Sequence, residues 1–137
     1  MAGSVETYRG VAYPWLCDSM GHMNTQFYAM LFDGAGFHFL AMIAPYSELA
    51  PRRLGWADVR QTTEYKHEVR GGSLLVITTR LLKVGTSSVT YLHEMRNAES
   101  GVLHSTSELV TVLFDLDARK AAPLDAAARA RASTLLA

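Results

Sequence analysis

The stretch that decides the fold is "CDSMGHMNTQFYAMLFDGAGFHFLAMIA", Cys17 to Ala44. From Asn24 onward it is too long and too apolar for a loop. Phe27, Tyr28, Met30, Leu31, Phe32, Ala35, Phe37, Phe39, Leu40, Met42 and Ile43 cover most of a helix circumference. A helix apolar nearly all round is a buried one. Asn24 and Thr25 suit its N-cap. Pro45 disfavours helical backbone at Ala44 and gives the stop. Gly34 and Gly36 weaken a helix locally, which predicts close approach of a neighbouring backbone. Ahead of the helix, Asp18, Gly21, His22 and Asn24 crowd together. Polar residues packed that closely either cap a helix or do chemistry.

On either side of this stretch the period changes from helical to two. Val5 to Tyr13 alternates loosely and reads as a strand ended by Pro14. Pro45 to Trp56 reads as a loop. In Val59 to Val69 the odd positions Val59, Gln61, Thr63, Tyr65, His67 and Val69 alternate with Arg60, Thr62, Glu64, Lys66 and Glu68, as in a strand with one solvated face. Gly71-Gly72 turns the chain into a strand over Leu74 to Val84, and Gly85-Thr86 into another over Ser88 to Asn97. A last long strand follows over Val102 to Asp115, and the Ala/Arg-rich tail from Leu124 reads as helix. Short turns make antiparallel neighbours.

The fold class is therefore α+β: a long central helix wrapped by a five-stranded antiparallel sheet, in a single domain spanning 1–137. A single curled sheet has open edges and leaves part of its helix uncovered. A homodimer or a dimer of dimers is expected.

The chain of 137 residues is 49% hydrophobic and 19% charged, which supports a core and argues against disorder. Thirteen basic and 13 acidic residues balance without a basic block, so no nucleic-acid partner is expected. No apolar run approaches the ~18 residues of a membrane span, and none is expected. The N-terminus lacks the basic and apolar regions of a secretory signal. Cys17 is the only cysteine, so no disulfide forms within one chain. A cytoplasmic protein is expected.

The order of elements, with the opening stretch, resembles the hotdog-fold acyl-CoA thioesterases, in particular the 4-hydroxybenzoyl-CoA thioesterase-like group. That family's pattern is Asp-x-x-Gly-His-x-Asn-Asn-x-x-Tyr at the start of the central helix. Here it runs Asp18-Ser-Met-Gly21-His22-Met-Asn24-Thr25-Gln-Phe-Tyr28. "EYKHEVRGGSLLVITTRLL", "GTSSVTYLHEM" and "LFDLDARKAAPL" look like its strand and turn signatures, so the likeness covers nearly the whole chain. Two positions depart from it: Leu16 stands where the family often has a second Asp, and Thr25 where it has a second Asn. The family's key carboxylate is retained.

Thioester hydrolysis needs a nucleophile and a group that stabilises the carbonyl oxygen as it turns negative. Asp18 suits the first, as general base or direct nucleophile. The N-terminus of the helix suits the second, through unpaired N–H groups and the helix dipole. The resemblance implies that the backbone N–H of Thr25 is the main oxyanion donor. Gly21 leaves room for the thioester, while His22 and Asn24 orient the loop, position water or touch the acyl carbonyl. Phe27, Tyr28, Leu31, Trp56 and Tyr65 are candidates to line an acyl pocket between the helix start of one subunit and strands of its partner.

The acyl-CoA substrate carries phosphates, and Lys83, Thr86, Ser87 and Ser88 offer a cation, hydroxyls and backbone N–H groups around a hairpin. The resemblance implies a role for this region in binding CoA; Arg52, Arg53 and Arg60 are alternatives. Cys17 reads as a small buried residue rather than a nucleophile. The five histidines lack zinc-ligand spacing, so neither metal nor cofactor is expected. His67 and His93 share faces with apolar residues and point to the core or a subunit interface, and His38 to packing on the helix. Two other classes stay open. A hotdog hydratase or dehydratase would use Asp18 with His22 and consume an enoyl-CoA without releasing thiol. A non-catalytic acyl-CoA binding module would bind without turnover.

Overall fold

The computed structural model describes residues 3–136. Strand β1 (Ser4–Val11) leads through a 3-10 turn, Pro14–Leu16, to helix α1 (Thr25–Ala41). Short helix α2 (Tyr46–Leu49) and a second 3-10 turn follow. Then come β2 (Leu54–Tyr65), β3 (Leu74–Val84), β4 (Ser88–Asn97), β5 (Leu103–Asp115), a two-residue strand β6 (Lys120–Ala121) and helix α3 (Ala126–Leu135). The sheet is antiparallel in the order β1-β3-β4-β5-β2, with β6 paired to β5. Five long strands thus wrap one helix, the hotdog architecture that the sequence predicts, with β6 as an addition.

Register irregularities let the sheet curl. They fall between Glu6 and Tyr8, Asp58 and Arg60, Leu81 and Lys83, and Met95 and Arg96. A residue inserted into one strand bends it and tightens its twist. The concave face closes on α1. Around the first half of the helix, Tyr28, Leu31, Phe32 and Ala35 pack with Leu75, Ile77 and Met95. Around the second half, Phe39, Leu40 and Ile43 pack with Leu81, Tyr91 and Leu113, and α3 closes that end with Ala128 and Ala132.

The helix is not buried all round. Met30 and Phe37 on its far side are 51% and 73% exposed. Nor is the reading of its glycines right in detail. A side chain at Gly34 would begin 3.0 Å from the Tyr8 ring, and one at Gly36 would begin 3.7 Å from both His93 Nε2 and Tyr91 Oη. Both glycines make room for side chains, not for backbone. His38 is exposed.

β2 starts and stops earlier than the alternation predicts. Its partner is β5, from Leu54 opposite Asp115 to Tyr65 opposite Ser105, with Val59 as the inserted residue. Beyond Tyr65 the ladder ends: the N–H groups of Lys66 and His67 both turn to the His104 carbonyl, at 2.8 and 3.1 Å. Period-two alternation cannot tell a strand from the extended segment that follows it. The expected loop Pro45 to Trp56 instead holds α2, the second 3-10 turn and the start of β2. Among the described residues no single helix is long and apolar enough to cross a membrane.

His93 has no exposed surface. Burial holds its imidazole down at about 4, so it is neutral in the fold. In the unfolded chain it takes up its proton near pH 6.5. Between those values the unfolded state binds more protons, so folding loses stability as pH falls. The contribution is complete above pH 6.5 and falls by about 3 kcal/mol on going from pH 7 to pH 4. In urea denaturation at both pH values, His93→Gln is expected to show an acid loss smaller by about that amount. An unchanged loss would contradict the burial of a neutral imidazole.

Candidate active site

The loop Cys17 to Asn24 owes its shape to Asp18. The Gly21 N–H donates to the Asp18 carbonyl at 3.0 Å, closing a turn with Asp18 in its first position. Aspartate is favoured there because its side chain caps the turn from outside. Asp18 Oδ1 accepts the Met20 N–H at 2.8 Å and, more weakly, the His22 N–H at 3.4 Å. Gly21 has φ +77, a left-handed conformation that glycine adopts without penalty. Backbone contacts stitch this loop to the segment before β3: Met23 N–H to the Val69 carbonyl at 2.8 Å, and Gly71 N–H to the Gly21 carbonyl at 3.1 Å.

Asn24 caps α1. Its side chain accepts the Gln26 N–H at 3.1 Å, and its carbonyl accepts the Phe27 N–H at 3.0 Å. The N–H of Thr25, the first residue of the helix, finds no acceptor among the described residues. The cap thus satisfies the donors behind it and leaves one N–H open at the positive end of the helix dipole.

Asp18, His22, Thr25 and Tyr28 line one cavity of about 420 Å³, walled across the way by Tyr65 to Glu68. Tyr28 and Tyr65 meet edge to face, with ring centroids 5.0 Å apart. Tyr28 is buried, and desolvation pushes its phenol above the ordinary range, so it is neutral. His22 Nε2 lies 3.7 Å from Glu68 Oε1. His104 Nδ1 lies 2.9 Å from the His67 carbonyl behind the wall. A residue with an unpaired N–H, a carboxylate and a concave, partly apolar wall thus line one opening.

Not every candidate residue reaches this cavity. Gly21 and Asn24 shape the loop without lining it. Leu31 is core, and Phe27 is half-buried against that core. Trp56 lines a second cavity towards the other end of α1 and donates from Nε1 to the Ala44 carbonyl at 3.3 Å. Lys83, Thr86, Ser87 and Ser88 sit at the β3–β4 hairpin, whereas the Asp18 cavity adjoins the opposite ends of these strands. Ten residues of β4 put roughly 30 Å between those ends. One chain does not bring the two groups together. Arg52 and Arg53 are paired with Asp125 and Asp117. Cys17 Sγ points back to the Tyr13 carbonyl at 3.6 Å.

Sequence reading missed Glu68 and Lys66 as cavity residues because it assigned them to the solvated face of a strand.

A family model described as the thioesterase-like superfamily matches residues 12–132. No curated protein sequence matches the chain. Solved structures match over nearly its full length. A protein from Staphylococcus aureus solved in complex with CoA has a TM-score of 0.89 at 14% identity, covering 96% of this chain and 84% of that one. A 1,4-dihydroxy-2-naphthoyl-CoA thioesterase from Synechocystis has a TM-score of 0.82 at 16% identity, covering 95% and 96%. A DHNA-CoA thioesterase from Staphylococcus aureus has a TM-score of 0.78 at 20% identity, covering 89% and 81%. At these identities the likeness establishes the fold.

Removing the cap tests the geometry of the helix start. Asn24→Ala should destabilise the protein by about 1 kcal/mol in urea denaturation. A loss within error of zero would mean that the Asn24 side chain does not hold the first turn.

Proposed function

The chain belongs to the thioesterase-like superfamily, a family of thioester hydrolases, and from that premise we propose that it cleaves an acyl-CoA to a free carboxylic acid and coenzyme A. The observation that carries this reading is the pairing of Asp18 with the open N–H of Thr25 on one cavity. The thioester carbonyl enters with its oxygen towards Thr25. Asp18 lies on the attacking side and either takes a proton from water or adds to the carbonyl carbon itself. In the first case hydroxide adds, the carbon–sulfur bond breaks and CoA leaves as thiolate. In the second, the carbon–sulfur bond of the adduct breaks, CoA leaves as thiolate, and water then hydrolyses the mixed anhydride. Negative charge that develops on the carbonyl oxygen meets a preorganised donor at a helix N-terminus, where it is stabilised without reorganisation.

Asp18 Oδ1 is occupied by the loop N–H groups, so Oδ2 is the oxygen left for chemistry. The same two bonds fix the carboxylate's orientation, which favours a base or nucleophile over a swinging acid. Gly21 keeps the approach open, and Asn24 acts through the cap.

The assembly belongs to the same reading. β2 is an edge strand of twelve residues whose stretch Asp58–Thr62 is exposed on both faces; Phe37, which lines a cavity with Trp56 and Asp58, stands uncovered, as does Met30 on the same helix. An unpaired edge next to apolar surface suits a second copy of the chain. In such a homodimer, or a dimer of dimers, Lys83, Thr86, Ser87 and Ser88 would serve CoA bound to another subunit's Asp18 cavity. A cytoplasmic setting fits a CoA substrate.

Thiol release from short, medium, long and aromatic acyl-CoAs is the direct test. On the best substrate, Asp18→Asn should lower kcat by about 10² to 10⁴ with the urea midpoint preserved. Equal rates for wild type and variant would remove Asp18 from the mechanism. Loss of crotonyl-CoA absorbance without thiol release would favour a hydratase instead.

A further inference from the structure

Between β1 and the Asp18 loop, Tyr13-Pro14-Trp15-Leu16 folds into the first 3-10 turn. Pro14 opens it, where the ring-fixed φ suits the turn. Two bonds close it: the Leu16 N–H to the Tyr13 carbonyl at 2.9 Å, and the Cys17 N–H to the Pro14 carbonyl at 3.1 Å. Leu16 is buried in the core group that holds Met23 and Val69. On this anchored turn Tyr13 and Trp15 stack ring on ring, with centroids 4.5 Å apart and planes 6° from parallel. Tyr13 covers one face of the indole. The remainder is open, and Trp15 is 72% exposed. Folding gains little from an indole left in water, so the core does not explain its rigid placement.

The turn borders the Asp18 cavity. Trp15 lies three residues before Asp18, a span of at most about 10 Å. Met20, on the rim of that cavity, is likewise 72% exposed. On its other side the turn meets the Gly71–Gly72 bend. The Gly72 N–H donates to the Ala12 carbonyl at 2.8 Å, and Cys17 Sγ stands 3.3 Å from where a Gly71 side chain would begin. Arg70, next to that bend, bridges its backbone to His22, which lines the cavity. Of the cations near the opening, Lys66 is held by Glu64 at 3.2 Å. The Arg70 side chain is exposed and has no ion-pair partner among the described residues. An open aromatic face and an uncommitted guanidinium thus stand on two segments that border one cavity.

We propose that the Tyr13–Trp15 pair is the platform for the adenine of the CoA carrier: the base stacks on the open face of the indole, and Arg70 meets its phosphates. This rests on the thioesterase reading. A flat π-face suits a base, whereas the pantetheine arm has no ring to stack. Tyr13 stiffens the indole from behind, so little side-chain freedom is lost on binding. The chain that carries Asp18 then holds the base as well. The Lys83 to Ser88 hairpin, which one chain does not bring to the cavity, is not required for it. The platform also separates two kinds of substrate. A free CoA ester has the adenine; a thioester on the pantetheine of a carrier protein lacks it and gains nothing from Trp15.

The test compares an acyl-CoA with the acyl-pantetheine of the same acyl group, which has the thioester but no nucleotide. In the full chain, Trp15→Ala should raise KM for the acyl-CoA by about tenfold at constant kcat, and change KM for the acyl-pantetheine by less than about twofold. Trp15→Phe keeps a ring and should stay within about threefold of wild type on both. Thermal melts show that each variant is folded. An unchanged KM for acyl-CoA in Trp15→Ala, with or without a change of oligomeric mass, overturns the proposal. So does an equal rise on both substrates, which would make Trp15 a support of the loop. Binding gives a readout apart from turnover. Indole fluorescence should be quenched by CoA and by ADP but not by pyrophosphate, and Trp15→Phe should lose that quenching. Quenching that survives in Trp15→Phe belongs to Trp56 and overturns the platform. A chain that cleaves acyl-CoA without these effects keeps the proposed function and loses the platform. One that cleaves no thioester but shows Trp15-dependent quenching loses the proposed function alone.

Discussion

The structure depends on burying one face of α1 against a single curled sheet. The helix carries apolar side chains nearly all round, but the sheet of one chain reaches only one side of it. Everything else is arranged about that contact. The register shifts bend the strands to the helix's curvature, α3 closes one end, and the Asp18 loop closes the other. The uncovered side, with Met30 and Phe37, is the remainder that one chain cannot bury.

The same contact aims the functional groups. A helix locked by its buried face has a fixed N-terminus, and its first donors point wherever the loop before it allows. Asn24 takes up the donors of Gln26 and Phe27, and Asp18 takes up those of the loop. The Thr25 N–H has no acceptor among the described residues. Because the loop is tied to Val69 and Gly71, the segment from Lys66 to Glu68 is held across the opening rather than left in the sheet. Fold and site share their hydrogen bonds, so loosening one loosens the other.

Polar residues on the concave face follow a different logic. Thr7, Thr79, His93, Tyr91 and Thr111 are buried among aliphatic side chains, yet all but the last nitrogen of His93 are bonded in two short chains. One chain joins Thr7, Thr79 and His93; the other joins Tyr91, Thr111 and Asp58. A core needing only to be filled would be served better by leucine at these positions, since polar atoms there add desolvation without added packing.

Much of this was legible in the sequence. The apolar run after Asn24, the stop at Pro45, the turn glycines and the change from helical to two-residue period determine a long helix followed by antiparallel strands. The clustering of Asp18, Gly21, His22 and Asn24 marks where chemistry would gather. These signals are local: caps, turns and periodicity are set by residues a few positions apart. Only the tertiary structure decided that β2 leaves the sheet at Tyr65 and delivers Glu68 to the cavity, that Trp56 belongs to a second cavity, and that the Lys83 to Ser88 hairpin stands at the far end of the sheet. Only it brought Thr7, Thr79 and His93 into one chain of hydrogen bonds, more than 70 residues apart in sequence at the first link. Such meetings depend on strand register and on where each extra residue is inserted, and one residue's slip turns every later side chain to the opposite face.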